Sequence, residues 1–293
     1  MASTSNPLRI PAPAQRGSIQ KTFVRARVLS GFTDPNHFRM ISGEYLSSLS
    51  NTEQEKILAA AEDSRKVVAQ LPKFEPKPVI IEDILEKHTD SIKSDPIFIQ
   101  TFGQRPYRFC YIDPSQLIAL QAWVEPRGDR VPKAKNKLLE FALPRKWDIP
   151  AELSFIPPIG PIQILSSSPS FQGVTVELDQ VAGKVMLGPP KHLNLIQVAH
   201  FQGKYYLKNG YHRVSDAIEG GAKKLPALVI EAFTPDDVAL VGDTVFNFGY
   251  VQSLERPPLV TDFATPAAIE TKVRERRYGV IVNLDIKPLN IGI

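Results

Sequence analysis

The sequence predicts an α+β protein with a mixed sheet, on three observations. Near the N-terminus an amphipathic run of helical period places Ile57, Leu58, Ala61, Val67, Val68 and Leu71 on one face. Residues 201–231 read as a compact strand, turn, helix, strand unit. Gly173-Val174-Thr175-Val176-Glu177-Leu178-Asp179 alternates as a strand does, with Val174, Val176 and Leu178 on one face and the carboxylates Glu177 and Asp179 on the other. At 293 residues, 43% hydrophobic and 23% charged, the chain suits one large globular domain or two small ones.

Taken in order, residues 1–20 are polar and proline-bearing and read as a flexible N-terminus, with Arg16, Lys21, Arg25 and Arg27 as scattered solvated charge. Asp34-Pro35-Asn36 reads as a turn. Ser50 and Glu53 have the spacing of a capping box, which starts a helix at Thr52 that runs to Leu71. Pro72, Pro76 and Pro78 make an extended linker, and Val79–His88 and Ser94–Phe102 read as two further short helices. Residues 21–104 are therefore expected to form a helical N-terminal region, a packing layer or a surface for a protein partner. Cys110 falls in the apolar strand pattern Tyr107–Ile112 and reads as a buried structural thiol. Gln116–Val124 and Lys133–Phe141 are helical in pattern, whereas Pro150, Pro157, Pro158, Pro161 and Pro169 forbid regular helix for about twenty residues. That proline-rich stretch reads as an ordered insertion or a lid.

The region richest in chemistry is Phe201 to Glu231. Gln202-Gly203 is a hairpin turn, Lys204–Leu207 its returning arm, Asn209-Gly210 a strand break, Val214–Ile218 the start of a helix that Gly220-Gly221 closes, and Leu225–Ile230 a buried strand. A helix N-terminus offers backbone N–H groups without internal partners and the positive end of the dipole, so His212 and Arg213 beside it suit an anion. The same residues also make an ordinary turn in which Arg213 pairs with Asp216 or Glu219. Glu177 and Asp179 are a general base or metal ligand if their strand borders a pocket, and solvated charge if it does not.

The segment GKYYLKNGYHRVSDAIEGGAKKLPALVI resembles the core of the ParB/sulfiredoxin-like superfamily. Gly203, Gly210, His212, Arg213, Ala217, Gly221 and the strand Ala227–Ile230 fall on that family's pattern. The resemblance is strongest over residues 193–233, and a weaker extension reaches Arg108–Leu117. It implies a domain over 105–233 with an insertion at about 125–172 and a C-terminal extension over 234–293. It also implies a nucleotide, ATP or CTP, whose phosphates are held by Asn209, Gly210, Tyr211, His212 and Arg213; a Mg²⁺ ion bridging those phosphates would need only one or two carboxylates and water, so the sequence leaves it open. Phosphoryl transfer or nucleotide hydrolysis would then have His212 and Arg213 stabilising phosphate charge while Glu177, Asp179 or Asp216 activates the nucleophile. A DNA-associated or regulatory module without catalysis, and a ParB-like nuclease, are the alternatives within the same resemblance. Two departures narrow it. Sulfiredoxins carry a catalytic cysteine where this chain has Tyr211, whose phenol cannot supply a thiolate, so sulfiredoxin activity is not expected. Partitioning proteins have Gly-Glu-Arg-Arg at this turn and a long helix-turn-helix domain after it, whereas residues 234–293 hold a single helical pattern, Pro266–Arg277, and an apolar strand over 278–288.

The remaining features set bounds. No apolar run approaches the ~20 residues of a membrane-spanning helix, and Met1-Ala2-Ser3-Thr4-Ser5-Asn6-Pro7 is not the start of a signal peptide, so a cytoplasmic protein with no membrane partner is expected. A single cysteine excludes an intramolecular disulfide, and the absence of H-x-x-x-H and C-x-x-C spacings argues against zinc. The formal charge of +4 is modest for a dedicated DNA binder. Arg274, Arg276 and Arg277 form the densest cation cluster, either the solvated end of a helix or a contact for an anion or nucleic acid.

Overall fold

The computed structural model describes residues 22–84, 87–126, 132, 135–145, 152–155, 162–166, 175–179, 184–188, 193–275 and 278–282. Along these residues run β1 (Phe23–Val28), α1 (Pro35–Leu46), α2 (Asn51–Ala69), β2 (Ile80–Asp83), α3 (Lys87–Lys93), α4 (Pro96–Phe102) and β3 (Tyr107–Ile112). Next come β4 (Ile118–Ala119), β5 (Trp123–Val124), α5 (Lys135–Ala142), β6 (Glu152–Phe155), β7 (Ile162–Ser166), β8 (Thr175–Asp179) and β9 (Lys184–Gly188). The chain continues with β10 (Gln197–Phe201), β11 (Lys204–Asn209), α6 (Tyr211–Glu219), β12 (Leu225–Glu231), α7 (Pro235–Val238), α8 (Phe248–Ser253), β13 (Ile269–Arg274) and β14 (Tyr278–Val282). The protein is α+β. Among the described residues no helix is long and apolar enough to cross a membrane.

Two compact units divide the chain, the larger built from residues 23–148 and 191–274. Its main sheet has six strands in the order β2-β3-β12-β10-β11-β4 and is mixed. β10 pairs antiparallel with β11 and parallel with β12, β11 pairs parallel with β4, and β12 pairs antiparallel with β3. β12, Leu-Pro-Ala-Leu-Val-Ile-Glu, sits inside this sheet with its first six residues buried, which accounts for its unbroken apolar run. A second sheet has the order β13-β1-β5. In the smaller unit β6 and β14 flank β7, and β8 pairs with β9.

Local chemistry explains the elements. Ser50 and Glu53 form the expected capping box, Ser50 N–H donating to Glu53 Oε2 at 3.0 Å, and α2 follows. Asp34-Pro35-Asn36, expected to be a turn, is a helix start: Asp34 Oδ1 accepts from the N–H groups of Asn36 (2.7 Å) and His37 (2.9 Å), with Pro35 in the first turn. Region 21–104 is thus less helical than expected, since it also carries β1 and β2. Arg25 is solvated as expected, whereas Arg27 is largely covered. They stand on the outer face of β1 and pair with Glu270, while Ala26 and Val28 are buried on the other.

Three expected helices are largely extended chain over their described residues, each for a visible reason. Within Val79–His88 the segment Ile80–Asp83 is β2, which adds to the edge of the main sheet against β3, where its β-branched residues fit, while Lys87 and His88 open α3. Gln116–Val124 includes Leu117, Ile118, Ala119, Leu120, Ala122 and Val124, all fully buried, so it lacks the polar face a surface helix needs. Its backbone is satisfied instead by other segments: Ala119 N–H donates to Pro258 O at 2.8 Å and Ala122 N–H to Thr244 O at 2.9 Å. Pro266–Arg277 contains β13, where Glu270, Lys272 and Arg274 are exposed and Thr271 and Val273 buried, a period of two rather than 3.6. β13 pairs with β1 along its length, from Phe23↔Arg274 to Val28↔Ile269. Arg274 ion-pairs with Glu44 at 3.0 Å, and Arg276 and Arg277 lie outside the described residues, as does segment 1–20.

Cys110 is fully buried in β3, and burial pushes its thiol up to about 12. Alkylation by iodoacetamide at neutral pH, followed by mass spectrometry, is expected to leave Cys110 unmodified in the folded protein and to label it only in denaturant. Rapid labelling of the native protein would contradict this placement.

Candidate functional site

The corner at Gly210 is built by the hairpin that precedes it. Gln202 (φ 50°) and Gly203 (φ 74°) make the two-residue turn that sends β11 back along β10. At the end of β11 the Asn209 side chain ties the strand down, Nδ2 donating to Leu195 O at 3.1 Å and Oδ1 accepting from Gly210 N–H at 2.9 Å. Gly210 then adopts φ 94°, ψ 20° and serves as the N-cap of α6. A Cβ here would lie 2.9 Å from Ile196 Cγ1 and 3.3 Å from Ile196 Cα, so both the left-handed backbone and the lack of room select glycine. The helix begins at Tyr211, earlier than the expected Val214, because this one residue reverses the chain. No side chain caps it, and the N–H groups of its first turn have no acceptor within the helix.

α6 ends as expected at the glycine pair. Gly221 takes φ 80°, its N–H donates to Ile218 O, and Ala222 N–H donates to Ala217 O, both at 2.9 Å. β12 then runs parallel to β10, so hairpin, corner, helix and returning strand form one unit.

The side chains of the corner have distinct positions. Tyr211 is buried, its phenol donating to Leu207 O and accepting from Leu120 N–H at 2.8 Å, and burial raises its pKa. The Tyr211 ring is therefore a strut between β11 and the segment after β4, and only its backbone N–H belongs to the helix start. Tyr211→Phe leaves two buried backbone groups short of a partner and is expected to lower stability by about 1–3 kcal/mol in urea titrations. A variant as stable as the parent would show that the phenol bridges nothing of consequence.

His212 Nδ1 accepts a hydrogen bond from Glu125 N–H at 2.9 Å. That bond requires a lone pair on Nδ1 and so fixes the neutral tautomer with its proton on Nε2. Its ring lies 5.7 Å from the Trp123 ring. Arg213 reaches away from the first turn: Nη1 donates to Phe141 O (2.9 Å) and Ala142 O (3.2 Å) at the C-terminal end of α5, and Nη2 donates to Asn194 Oδ1 (2.9 Å). Burial lowers its pKa to about 10, which leaves it a cation at neutral pH. It neutralises the negative end of α5 and fastens that helix to α6. Glu219, one of the two carboxylates expected to engage Arg213, pairs with Arg27 instead. Asp216 is buried on α6.

Asn209, Gly210, Tyr211, His212, Arg213 and Asp216 thus gather in the larger unit, at the end of β11 and the start of α6. Glu177 and Asp179 lie on β8 of the smaller unit, and their side chains fall outside the described residues. Trp123, Glu125 and Asn194 join the corner without having been expected there. Each is distant in sequence, and no local motif marks it. Among the described residues no three His, Cys, Asp or Glu side chains group as a metal site. In comparison with known proteins, no family model, curated protein or solved structure matches this chain.

Proposed function

We propose that this is a nucleotide-binding protein of the ParB/sulfiredoxin-like kind, which takes the phosphates of ATP or CTP at the N-terminus of α6. The observation that carries this reading is the left-handed Gly210, which leads a strand directly into an uncapped helix start, the geometry by which backbone N–H groups and the helix dipole converge on an anion. The ligands are the N–H groups of Tyr211, His212 and Arg213, with the His212 ring standing beside them at the helix start. Arg213 contributes positive charge and holds the turn in place through α5, in contrast to the direct ligand role that the resemblance implies.

Asp216 is turned into the core and poorly placed to activate a nucleophile, so binding is the function proposed for the corner. Mg²⁺ would be carried mainly by the nucleotide's phosphates and water, which require few protein carboxylates. Association with DNA draws less support, because Arg25, Arg27, Arg105, Arg108, Arg145 and Arg274 are all paired with carboxylates of this chain. A thermal-shift screen of ATP, CTP and their nucleosides, with and without Mg²⁺, tests the reading. A triphosphate present at about a hundred times its Kd is expected to stabilise the fold by about 2.7 kcal/mol, with no gain from the nucleoside. A melting temperature indifferent to every nucleotide would overturn it.

A further inference from the structure

Away from the corner, the larger unit holds an open cavity of about 530 Å³ between the start of α1 and the loop leading into α8. Its volume is in the range of small-molecule sites. Phe32, Phe246 and Tyr250 supply aromatic walls, and His37 stands edge-on to Phe246 with centroids 5.7 Å apart and planes at 88°. Hydrogen bonds fix these walls. Tyr250 Oη donates to Phe32 O at 3.1 Å, Asn247 Oδ1 accepts from Tyr250 N–H at 3.1 Å, and Phe246 N–H donates to Leu120 O at 2.7 Å.

The side chains that carry a fixed charge in the lining are carboxylates. Asp34 and Asp243 both face the cavity and no lysine or arginine lines it, although Arg65 is near enough to Asp34 to help lower its pKa and the Arg256 guanidinium stands 6.0 Å from the Phe32 ring centroid. Asp34 spends a single oxygen, Oδ1, on both cap bonds of α1, and those backbone donors hold its carboxyl below the usual range. Asp243 has no hydrogen bond or ion pair among the described residues. Apolar surface also collects at the mouth. Met40 is 62% and Tyr250 44% exposed, and Val241, next to the lining Gly242, is fully exposed. These are three of the six large hydrophobic side chains that the described chain leaves in solvent. An apolar, partly aromatic surface rimmed by carboxylates attracts an ammonium group both through the rings and by direct charge pairing, and it repels anions.

We propose that this cavity binds a small organic cation, an ammonium group carried on an apolar or aromatic body. The site is separate from the nucleotide corner and does not depend on it, since a triphosphate would meet two carboxylates here. Titration of the full chain with 2-phenylethylamine, and with 2-phenylethanol as its neutral counterpart, followed by amide resonances at pH 8, tests the assignment. The amine is expected to give saturable shifts at His37, Phe246, Asn247 and Tyr250, with a Kd about tenfold tighter than that of the alcohol. Asparagine is as good an N-cap as aspartate, so the double variant Asp34→Asn, Asp243→Asn retains the start of α1 while removing both charges. In that variant the amine is expected to bind no more tightly than the alcohol. Equal affinity of amine and alcohol for the parent protein, amine affinity unchanged in the double variant, shifts that gather elsewhere, or no saturable shift at all would each overturn the proposal.

Discussion

Gly210→Val is expected to lower folding stability by about 2–6 kcal/mol, the largest range for a single change at the corner. Two penalties add. A β-branched residue held at φ 94° costs about 1–3 kcal/mol, and a Cβ 2.9 Å from Ile196 Cγ1 forces that buried neighbour or the turn itself to move, at a further cost of about 1–3 kcal/mol. Gly210→Ala meets the same two obstacles without the branching and should fall short of valine. Urea denaturation of both variants checks the order. A valine variant within about 1 kcal/mol of the parent would mean that the backbone at residue 210 is not left-handed.

The second large effect is expected at Arg213. Alanine there takes the guanidinium away from three acceptors, Phe141 O, Ala142 O and Asn194 Oδ1, of which Ala142 O keeps the Ile196 N–H at 2.9 Å, and it removes the clamp between α5 and α6. A loss of about 2–4 kcal/mol is expected without any nucleotide present, since a charged donor bonded to several part-buried acceptors is removed. Arg213→Lys should recover only part of it, because an ammonium cannot present the planar fork that serves both α5 carbonyls and Asn194. Unchanged stability together with weakened nucleotide affinity would instead make Arg213 a direct ligand and not a clamp.

Much of the corner was legible because its signals are local. The Gln202-Gly203 turn, the break at Asn209-Gly210, the glycine closure after α6 and the apolar β12 are each written within a few residues of where they act. The capping box of α2 was legible for the same reason. What escaped depends on distant partners. Gln116–Val124 is extended because Pro258, Thr244 and the Tyr211 phenol supply its backbone partners, and nothing within those nine residues announces them. β13 was mistaken for a helix because a short segment of alternating charge carries both periods, and only pairing with β1, more than two hundred residues away, decides between them. Arg213 illustrates the same limit at a single side chain. Its position beside a helix start suggests an anion ligand, yet its donors go to the end of α5, a contact 71 and 72 residues back along the chain.

Backbone amide resonances of Tyr211, His212 and Arg213 are the most direct reporters of a phosphate at the start of α6. On addition of ATP or CTP with Mg²⁺ they are expected to shift together and saturate with a single Kd, while the corresponding nucleoside leaves them in place. Shifts of equal size with the nucleoside, or triphosphate-induced shifts that saturate elsewhere and spare these three amides, would contradict nucleotide binding at this corner.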